Sequence, residues 1–169
     1  MPANIEIKAR LDAYETARAV AQRLAAPQGV LVQVDTYFTC RHGRLKLREI
    51  EAESAHLIWY QRPDCRTPSL SQYQLTPAAD PQGLKQTLTA ALGIQAVVCK
   101  ARELYLWENV RIHLDRVQGL GEFLEFEAVL GGTISADEGQ RQLEFLLDAF
   151  AIAPAQLVDC SYLDLVGSR

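Results

Sequence analysis

Charged side chains recur at every second residue along several short stretches of this chain. Successive side chains of a β-strand point to opposite faces, so residues two apart share a face. Each series of alternating charges therefore predicts a strand with one strongly polar side. The charged positions are Glu6, Lys8, Arg10, Arg44, Lys46, Arg48, Arg62, Lys100, Arg102, Arg111, His113, Asp115, Glu125 and Glu127.

The basic members of this set predict a site for a polyanion. Nine Lys and Arg side chains stand against four carboxylates, an excess of five positive charges in a chain whose net charge is −4. Guanidinium groups match phosphate oxygens with paired hydrogen bonds, so a short phosphate chain suits this face better than a single carboxylate. The predicted phosphate-binding residues are Lys8, Arg10, Lys46, Arg48, Arg62, Lys100, Arg102 and Arg111.

The acidic members of the set would repel phosphate, and a divalent metal ion resolves this conflict. Glu125 and Glu127 lie two residues apart on one predicted strand, and Glu6 and Asp115 lie on others. Their oxygens are the hard ligands that Mg²⁺ or Mn²⁺ prefers, and such an ion can bridge carboxylate and phosphate. We therefore predict a metal site formed by Glu6, Asp115, Glu125 and Glu127.

The elements that position these residues are mostly strands. Several connections between them, such as His42-Gly43 and Trp107 to Asn109, are too short for a crossover helix and predict antiparallel hairpins. A meander of eight strands that closes into an antiparallel barrel follows, giving a mainly β (α+β) fold. The predicted strands are Ile5 to Leu11, Leu31 to Cys40, Arg44 to Ile50, His56 to Arg62, Leu70 to Thr76, Ala96 to Leu106, Val110 to Val117 and Glu122 to Leu130.

Three helices with apolar stripes are predicted between the strands. Their start signals are Asp12 with Glu15, Asp80 followed by Pro81, and Ser135. The charged strand faces could be the solvated outside of an ordinary sheet. The helices favour the opposite arrangement, because their apolar stripes need an apolar surface outside the barrel. The charged faces then line a wet interior, since unpaired buried ions are costly.

Composition limits the class of protein. A length of 169 residues predicts one domain over 1–169, and 49% apolar with 22% charged residues indicates a globular fold. The pI near 5.4 argues against general nucleic-acid binding. The chain has neither a spanning apolar stretch nor a secretory signal, so we expect a cytoplasmic protein without a membrane partner. The cysteines show no metal-ligand or redox spacing, and we expect reduced thiols.

Taken together, these motifs resemble the CYTH domains of the triphosphate tunnel metalloenzymes, and the class IV adenylate cyclase-like branch most closely. The resemblance implies an eight-stranded tunnel that binds a triphosphate with a divalent metal. Asn4 departs from the family's E-x-E-x-K signature, of which only Glu6 and Lys8 match. The resembling segments are Asn4 to Lys8, Gly43 to Glu49, Tyr60 to Arg62, Lys100 to Arg102, Arg111 to Asp115, Glu125 to Glu127 and Ser161 to Leu165.

The resemblance leaves the reaction open. Attack by water would make the protein a triphosphatase, with Lys8 helping to activate the nucleophile; attack by a ribose hydroxyl would make it a cyclase that releases pyrophosphate. The loss of a carboxylate at Asn4 keeps a non-catalytic nucleotide or polyphosphate binder as a third hypothesis. Gln33, Asp35 and Tyr37 resemble a further family motif, but the pattern does not fix which side of the sheet they occupy. The oligomeric state is also open, with a homodimer as one option.

Overall fold

The computed structural model describes residues 1–167, and antiparallel strands dominate it. The strands are β1 Ala3–Arg10, β2 Ala26–Phe38, β3 Arg44–Ile50, β4 Ser54–Gln61, β5 Ser69–Pro77, β6 Ile94–Trp107, β7 Val110–Val117, β8 Gly121–Val129 and the short β9 Leu157–Val158. The helices are α1 Tyr14–Leu24, α2 Pro81–Leu92, α3 Ala136–Ala149 and α4 Tyr162–Gly167. All eight predicted strands and all three predicted helices are confirmed. Strand β9 and helix α4 were not predicted, and β2 begins at Ala26, where it already pairs with β6, rather than at the predicted Leu31.

The sheet closes because β1 pairs with β8 on one side and with β5 on the other. The order around the barrel is β5-β4-β3-β2-β6-β7-β8-β1, and every pairing is antiparallel. The predicted hairpins are confirmed, but the simple meander is wrong. In a closed meander β1 would pair with β2 and β8. Here it pairs with β8 and β5, and β2 pairs with β6 instead of β1. The connections that contain α1 and α2 are long enough to carry the chain between strands that are not neighbours.

Helix α1 begins differently from the prediction. Its N-cap is Ala13, which has no side-chain hydrogen bond, so a capping box at Asp12 is wrong. Glu15 instead forms ion pairs with Arg18 and Arg116, at 3.4 and 3.0 Å. The contact with Arg116 of β7 joins the first turn of the helix to the barrel.

The other two predicted helix starts are confirmed. The side chain of Asp80 accepts a hydrogen bond from the amide of Gly83 at the start of α2, and Gly93 follows the last residue of that helix. Ser135 accepts a hydrogen bond from the amide of Glu138 at the start of α3. Each bond satisfies a backbone donor that the helix itself leaves unpaired.

The main apolar core lies between the outer surface of the barrel and two of the helices. Leu114 and Phe126 on the strands pack in one cluster with Ala21 of α1 and Leu143 and Leu146 of α3. The apolar strand faces therefore point outward, as the apolar helix stripes predicted. Within its span Pro81–Leu92, α2 has no fully buried residue, so it covers the barrel far less completely than the other two.

A second apolar cluster fills one end of the barrel. It joins Val98, Val117 and Phe123 of the strands to Tyr162 and Leu163 of α4. The rings of Phe123 and Tyr162 meet edge to face at 5.0 Å. Because neighbouring strands run antiparallel, the opposite end is the one where β1 and β7 begin and β5 and β8 end. The interior is thus closed by an apolar floor at one end and open at the other.

Two further expectations concern the chain as a whole. In the stretch 1–167, none of the helices combines the length and the apolar character that crossing a membrane demands. All four cysteines are free thiols, as expected.

Candidate functional site

The interior of the barrel above the apolar floor is a cavity lined by charge. Its empty space, counting the part that opens to solvent, is about 730 Å³. Among residues 1–167, seven cationic side chains and three carboxylates line it. The cations are Lys8, Lys46, Arg48, Arg62, Lys100, Arg102 and Arg111, and the carboxylates are Glu6, Glu125 and Glu127.

A fully buried carboxylate, Asp35, organises one group of these cations. It accepts from Lys46 at 2.9 Å and from Arg48 at 2.7 and 2.8 Å, and Lys100 lies 3.5 Å away. Burial alone would raise the pKa of Asp35, but Arg48, Lys46 and Lys100 together hold it well below its usual range. The motif with Gln33 and Tyr37 therefore faces inward, and its carboxylate holds three phosphate-binding candidates in place.

Burial lowers the pKa of the two lysines in this group. Burial, with the adjacent Arg48, lowers the pKa of Lys46 to about 8. Burial, with the adjacent Arg102, lowers the pKa of Lys100 well below its ordinary value. Both ammonium groups are therefore in an environment that favours a further anion beside them.

Asp115 holds Arg102 in a similar way. Its two oxygens each accept from Arg102 at 2.6 Å, and one also accepts from the hydroxyl of Tyr162 at 2.7 Å. Burial raises the pKa of Asp115, but Arg102 lowers it below the ordinary value. Asp115 is not in the group of ligand atoms that Glu125 and Glu127 form, and both of its oxygens already accept hydrogen bonds.

Glu125 and Glu127 come together with His113. Ligand atoms of the three residues all lie within 4.8 Å of one another, which is close enough to share one metal ion. His113 Nδ1 is 3.5 Å from Glu125 and 3.8 Å from Glu127. Burial and then Arg102 lower the pKa of His113, so its imidazole is suited to act as a neutral ligand.

Lys8 contacts this group directly. Its Nζ donates to Glu125 at 2.7 Å and lies 3.9 Å from the centre of the Tyr162 ring. Arg102 also donates to Glu125, at 2.7 Å. Burial acts to raise the pKa of Glu125, but Lys8, His113 and Arg102 hold it well below the ordinary value.

Glu6 and Asn4 extend the group toward the open end. The Glu6 carboxylate lies 3.0 Å from Arg62. Burial, with Glu125 and then Glu127, raises the pKa of Glu6 to about 7. Asn4 is buried in the cavity wall, and its Oδ1 has no hydrogen-bond partner within residues 1–167. The ligand atoms close enough to share one ion are those of His113, Glu125 and Glu127, and this mixture of an imidazole and carboxylate oxygens fits a divalent cation.

Two other charged residues of the predicted face lie elsewhere. Arg10 is exposed and packs its guanidinium over the ring of Phe123, outside the cavity lining. Arg44 is paired with Asp64 and Asp164, both at 2.9 Å, next to the apolar floor. The excess of positive charge in the cavity is therefore smaller than predicted, because neither Arg10 nor Arg44 lines it.

The match to known proteins agrees with this geometry. Residues 2–162 match the model of the CYTH domain. The chain belongs to the CYTH domain family. It is 25% identical, over 142 residues, to a Methanocaldococcus jannaschii protein named "putative adenylate cyclase", a match that spans 80% of this chain and 81% of that one.

Solved structures share the fold. The PH1012 protein of Pyrococcus horikoshii has a TM-score of 0.86 at 24% identity, with 96% of this chain and 98% of that chain covered. A Hippeastrum protein has a TM-score of 0.68 at 15% identity, with 99% and 96% covered, and its description reads "putative adenylyl cyclase" with "a dominant triphophatase activity". The predicted family resemblance is confirmed by the domain match.

Sequence reasoning did not assign three residues that matter in the site. His113 was predicted on the charged face but not among the metal ligands. A separation of twelve residues from Glu125 does not by itself predict a contact between the two side chains. Asp35 was not assigned to either face of its strand. Tyr162 was named only within the family-like segment Ser161 to Leu165. Its contact with Asp115 depends on where α4 packs.

Proposed function

We propose that this protein binds a triphosphate and a divalent metal ion inside the barrel and hydrolyses the triphosphate with water. The observation that carries the proposal is the cavity, where seven cations face a cluster of carboxylates beside a histidine. Phosphoryl transfer needs its reactants positioned and the charge on the phosphate oxygens stabilised, with little covalent chemistry from the protein. A closed, charged barrel supplies both.

The cationic side chains bind the phosphate chain in this proposal. Lys46, Arg48 and Lys100 are oriented by Asp35, and Arg102 by Asp115, so their donors are preorganised before the ligand arrives. Arg62 and Arg111 act nearer the carboxylates. Arg10 has no part in this set, since it lies outside the cavity lining.

Glu6, Glu125, Glu127 and His113 are the residues that we assign to the metal ion, which is Mg²⁺ or Mn²⁺. When bound, such an ion would supply charge neutralisation at the phosphate oxygens. An imidazole ligand suits Mn²⁺ better than Mg²⁺. Asp115 is assigned to positioning Arg102 instead.

Lys8 is the catalytic residue in this proposal. Its ammonium is fixed between Glu125 and the face of Tyr162 and lines the cavity. Its remaining donor positions can orient the attacking water and stabilise the phosphoryl oxygens. The pairing with Glu125 keeps it at one place in the barrel.

A cyclase is the second candidate, because the Methanocaldococcus relative is named as one. In that reaction the 3′-hydroxyl of ATP attacks, and pyrophosphate leaves. A product assay separates the two: purified protein with ATP and Mn²⁺ or Mg²⁺ should release phosphate under hydrolysis, or pyrophosphate with cyclic AMP under cyclisation. EDTA and the variant Glu127→Gln serve as controls. If neither ATP, tripolyphosphate nor thiamine triphosphate is turned over with either metal, the protein is a binder and the proposed activity is wrong.

A further inference from the structure

Tyr162 contacts two of the deepest cations from a helix that is not part of the barrel wall. The centre of its ring lies 3.9 Å from Lys8 Nζ and 5.0 Å from Lys100 Nζ. Lys8 belongs to β1 and Lys100 to β6, and these strands are not neighbours in the barrel. One aromatic side chain of α4 therefore connects two cations that strand pairing does not bring side by side.

The position of this ring is set by residues of β7 and β8. The Tyr162 hydroxyl donates to Asp115 at 2.7 Å, and the same carboxylate oxygen accepts from Arg102 at 2.6 Å. The ring of Phe123 meets the Tyr162 ring edge to face at 5.0 Å. Because Tyr162 is buried, these contacts fix its ring. The two lysines thus meet an ordered surface before any ligand binds.

An aromatic face suits this place better than another carboxylate would. Its π electrons attract an ammonium group, yet the ring has no net charge and adds no repulsion toward a bound phosphate. The ring also leaves N–H groups of both lysines available, since Lys8 donates to Glu125 and Lys100 lies 3.5 Å from Asp35. Burial and Arg102 lower the pKa of Lys100, and a contact that favours the ammonium form opposes this effect.

We infer that Tyr162 is a positioning residue, whose ring holds the ammonium groups of Lys8 and Lys100 in place for the phosphate chain. This inference rests on the proposed binding of a triphosphate. Without the ring, water would surround the two groups. Ligand binding would then have to displace that water and order two long side chains, which lowers affinity by roughly tenfold.

The first test compares Tyr162→Leu and Tyr162→Phe with the matched control Leu163→Ala. Leu163 is on the same helix and in the same apolar cluster, and it is also buried, but it lies outside the cavity lining. Calorimetry with tripolyphosphate in EDTA measures binding without metal or turnover, and thermal unfolding verifies that each variant folds.

Tyr162→Leu should weaken tripolyphosphate binding roughly tenfold, because it removes the aromatic face. Tyr162→Phe retains that face and should remain within about twofold of wild type. Leu163→Ala should also remain within about twofold, although the cavity that it creates lowers the unfolding temperature.

A second test changes the charge distribution of the ring and keeps its shape. Tyr162→Phe is prepared with one, two or three fluorine atoms on the ring, each of which withdraws electrons from the face that Lys8 and Lys100 contact. The packing of α4 is nearly the same throughout this series. The affinity for tripolyphosphate should fall stepwise with each added fluorine, and this readout serves even if Tyr162→Leu does not fold.

Three results would overturn the inference: unchanged affinity in Tyr162→Leu, equal losses in Tyr162→Leu and Tyr162→Phe, or no trend along the fluorinated series. A loss in Leu163→Ala as large as that in Tyr162→Leu would also overturn it, because the packing of α4 would then explain the effect. Failure of the proposed hydrolysis is separate: the wild type would bind tripolyphosphate in EDTA but release no phosphate in the product assay above. A wild type that binds no tripolyphosphate would refute both.

Discussion

The variant Asp35→Asn tests whether a single buried carboxylate holds the cationic wall together. Asp35 is fully buried and accepts from Lys46 and Arg48, with Lys100 3.5 Å away. An amide cannot balance these charges, and removing one partner of a buried ion pair costs about 3–5 kcal/mol. For a chain of this length we expect the unfolding temperature to fall by roughly 6 to 20 °C.

Tripolyphosphate should offset part of this loss. A polyanion that binds only the folded state stabilises it, and the variant has three cations without their buried counter-charge. The ligand-induced rise in unfolding temperature should therefore be larger in Asp35→Asn than in wild type. Intrinsic fluorescence can follow both transitions, since the chain contains two tryptophans.

The pH dependence of the difference has a defined sign. The pKa of Asp35 lies well below its ordinary value, because Arg48, Lys46 and Lys100 outweigh the effect of burial. A carboxyl with a lowered pKa stabilises the fold above its unfolded pKa, and that contribution is lost as the pH falls toward its folded pKa. The difference in stability between wild type and Asp35→Asn should narrow below about pH 4.

The matched control is Asp64→Asn. Asp64 also pairs with an arginine, Arg44, at 2.9 Å, but half of its side chain is exposed. Exposed pairs contribute about 0–1 kcal/mol, so this variant should remain close to wild type. A loss in Asp35→Asn no larger than in Asp64→Asn, or equal stabilisation of both by tripolyphosphate, would refute the role given to Asp35.

Three further predictions concern the ligand sites. Glu127→Gln should weaken Mn²⁺ binding roughly tenfold or more with little change in unfolding temperature, as titrations followed by electron paramagnetic resonance would show; unchanged Mn²⁺ affinity would contradict the metal assignment. Arg111→Ala should weaken tripolyphosphate binding by roughly tenfold in calorimetry, whereas Arg141→Ala on α3, also paired with a glutamate and exposed, should change it less than twofold; equal losses would indicate diffuse attraction. Asn4→Glu should lower the Mn²⁺ concentration needed for half-saturation and reduce the stability of the metal-free protein, because it adds charge beside a Glu6 whose pKa is already raised to about 7; an unaltered metal titration would remove residue 4 from the metal shell.

The sequence by itself determined the fold class and the character of the interior. Alternation with a period of two fixes which side chains of one strand share a face, so Lys46 with Arg48, and Glu125 with Glu127, could be assigned together from local pattern. The apolar stripes of α1 and α3 then required an apolar outer surface on the barrel. Both inferences depend on residues close in sequence, which is why they were confirmed.

Tertiary structure alone decided which charges meet. The contacts of Asp35 with Lys100, and of Asp115 with Tyr162, join residues 65 and 47 positions apart. They depend on strand order and register, and β1 lies between β5 and β8 in an order that no local signal specifies. Alternation along a strand predicts which of its side chains share a face. Which residues of other strands they meet depends on how the barrel closes, because register is a property of two paired strands and not of either one.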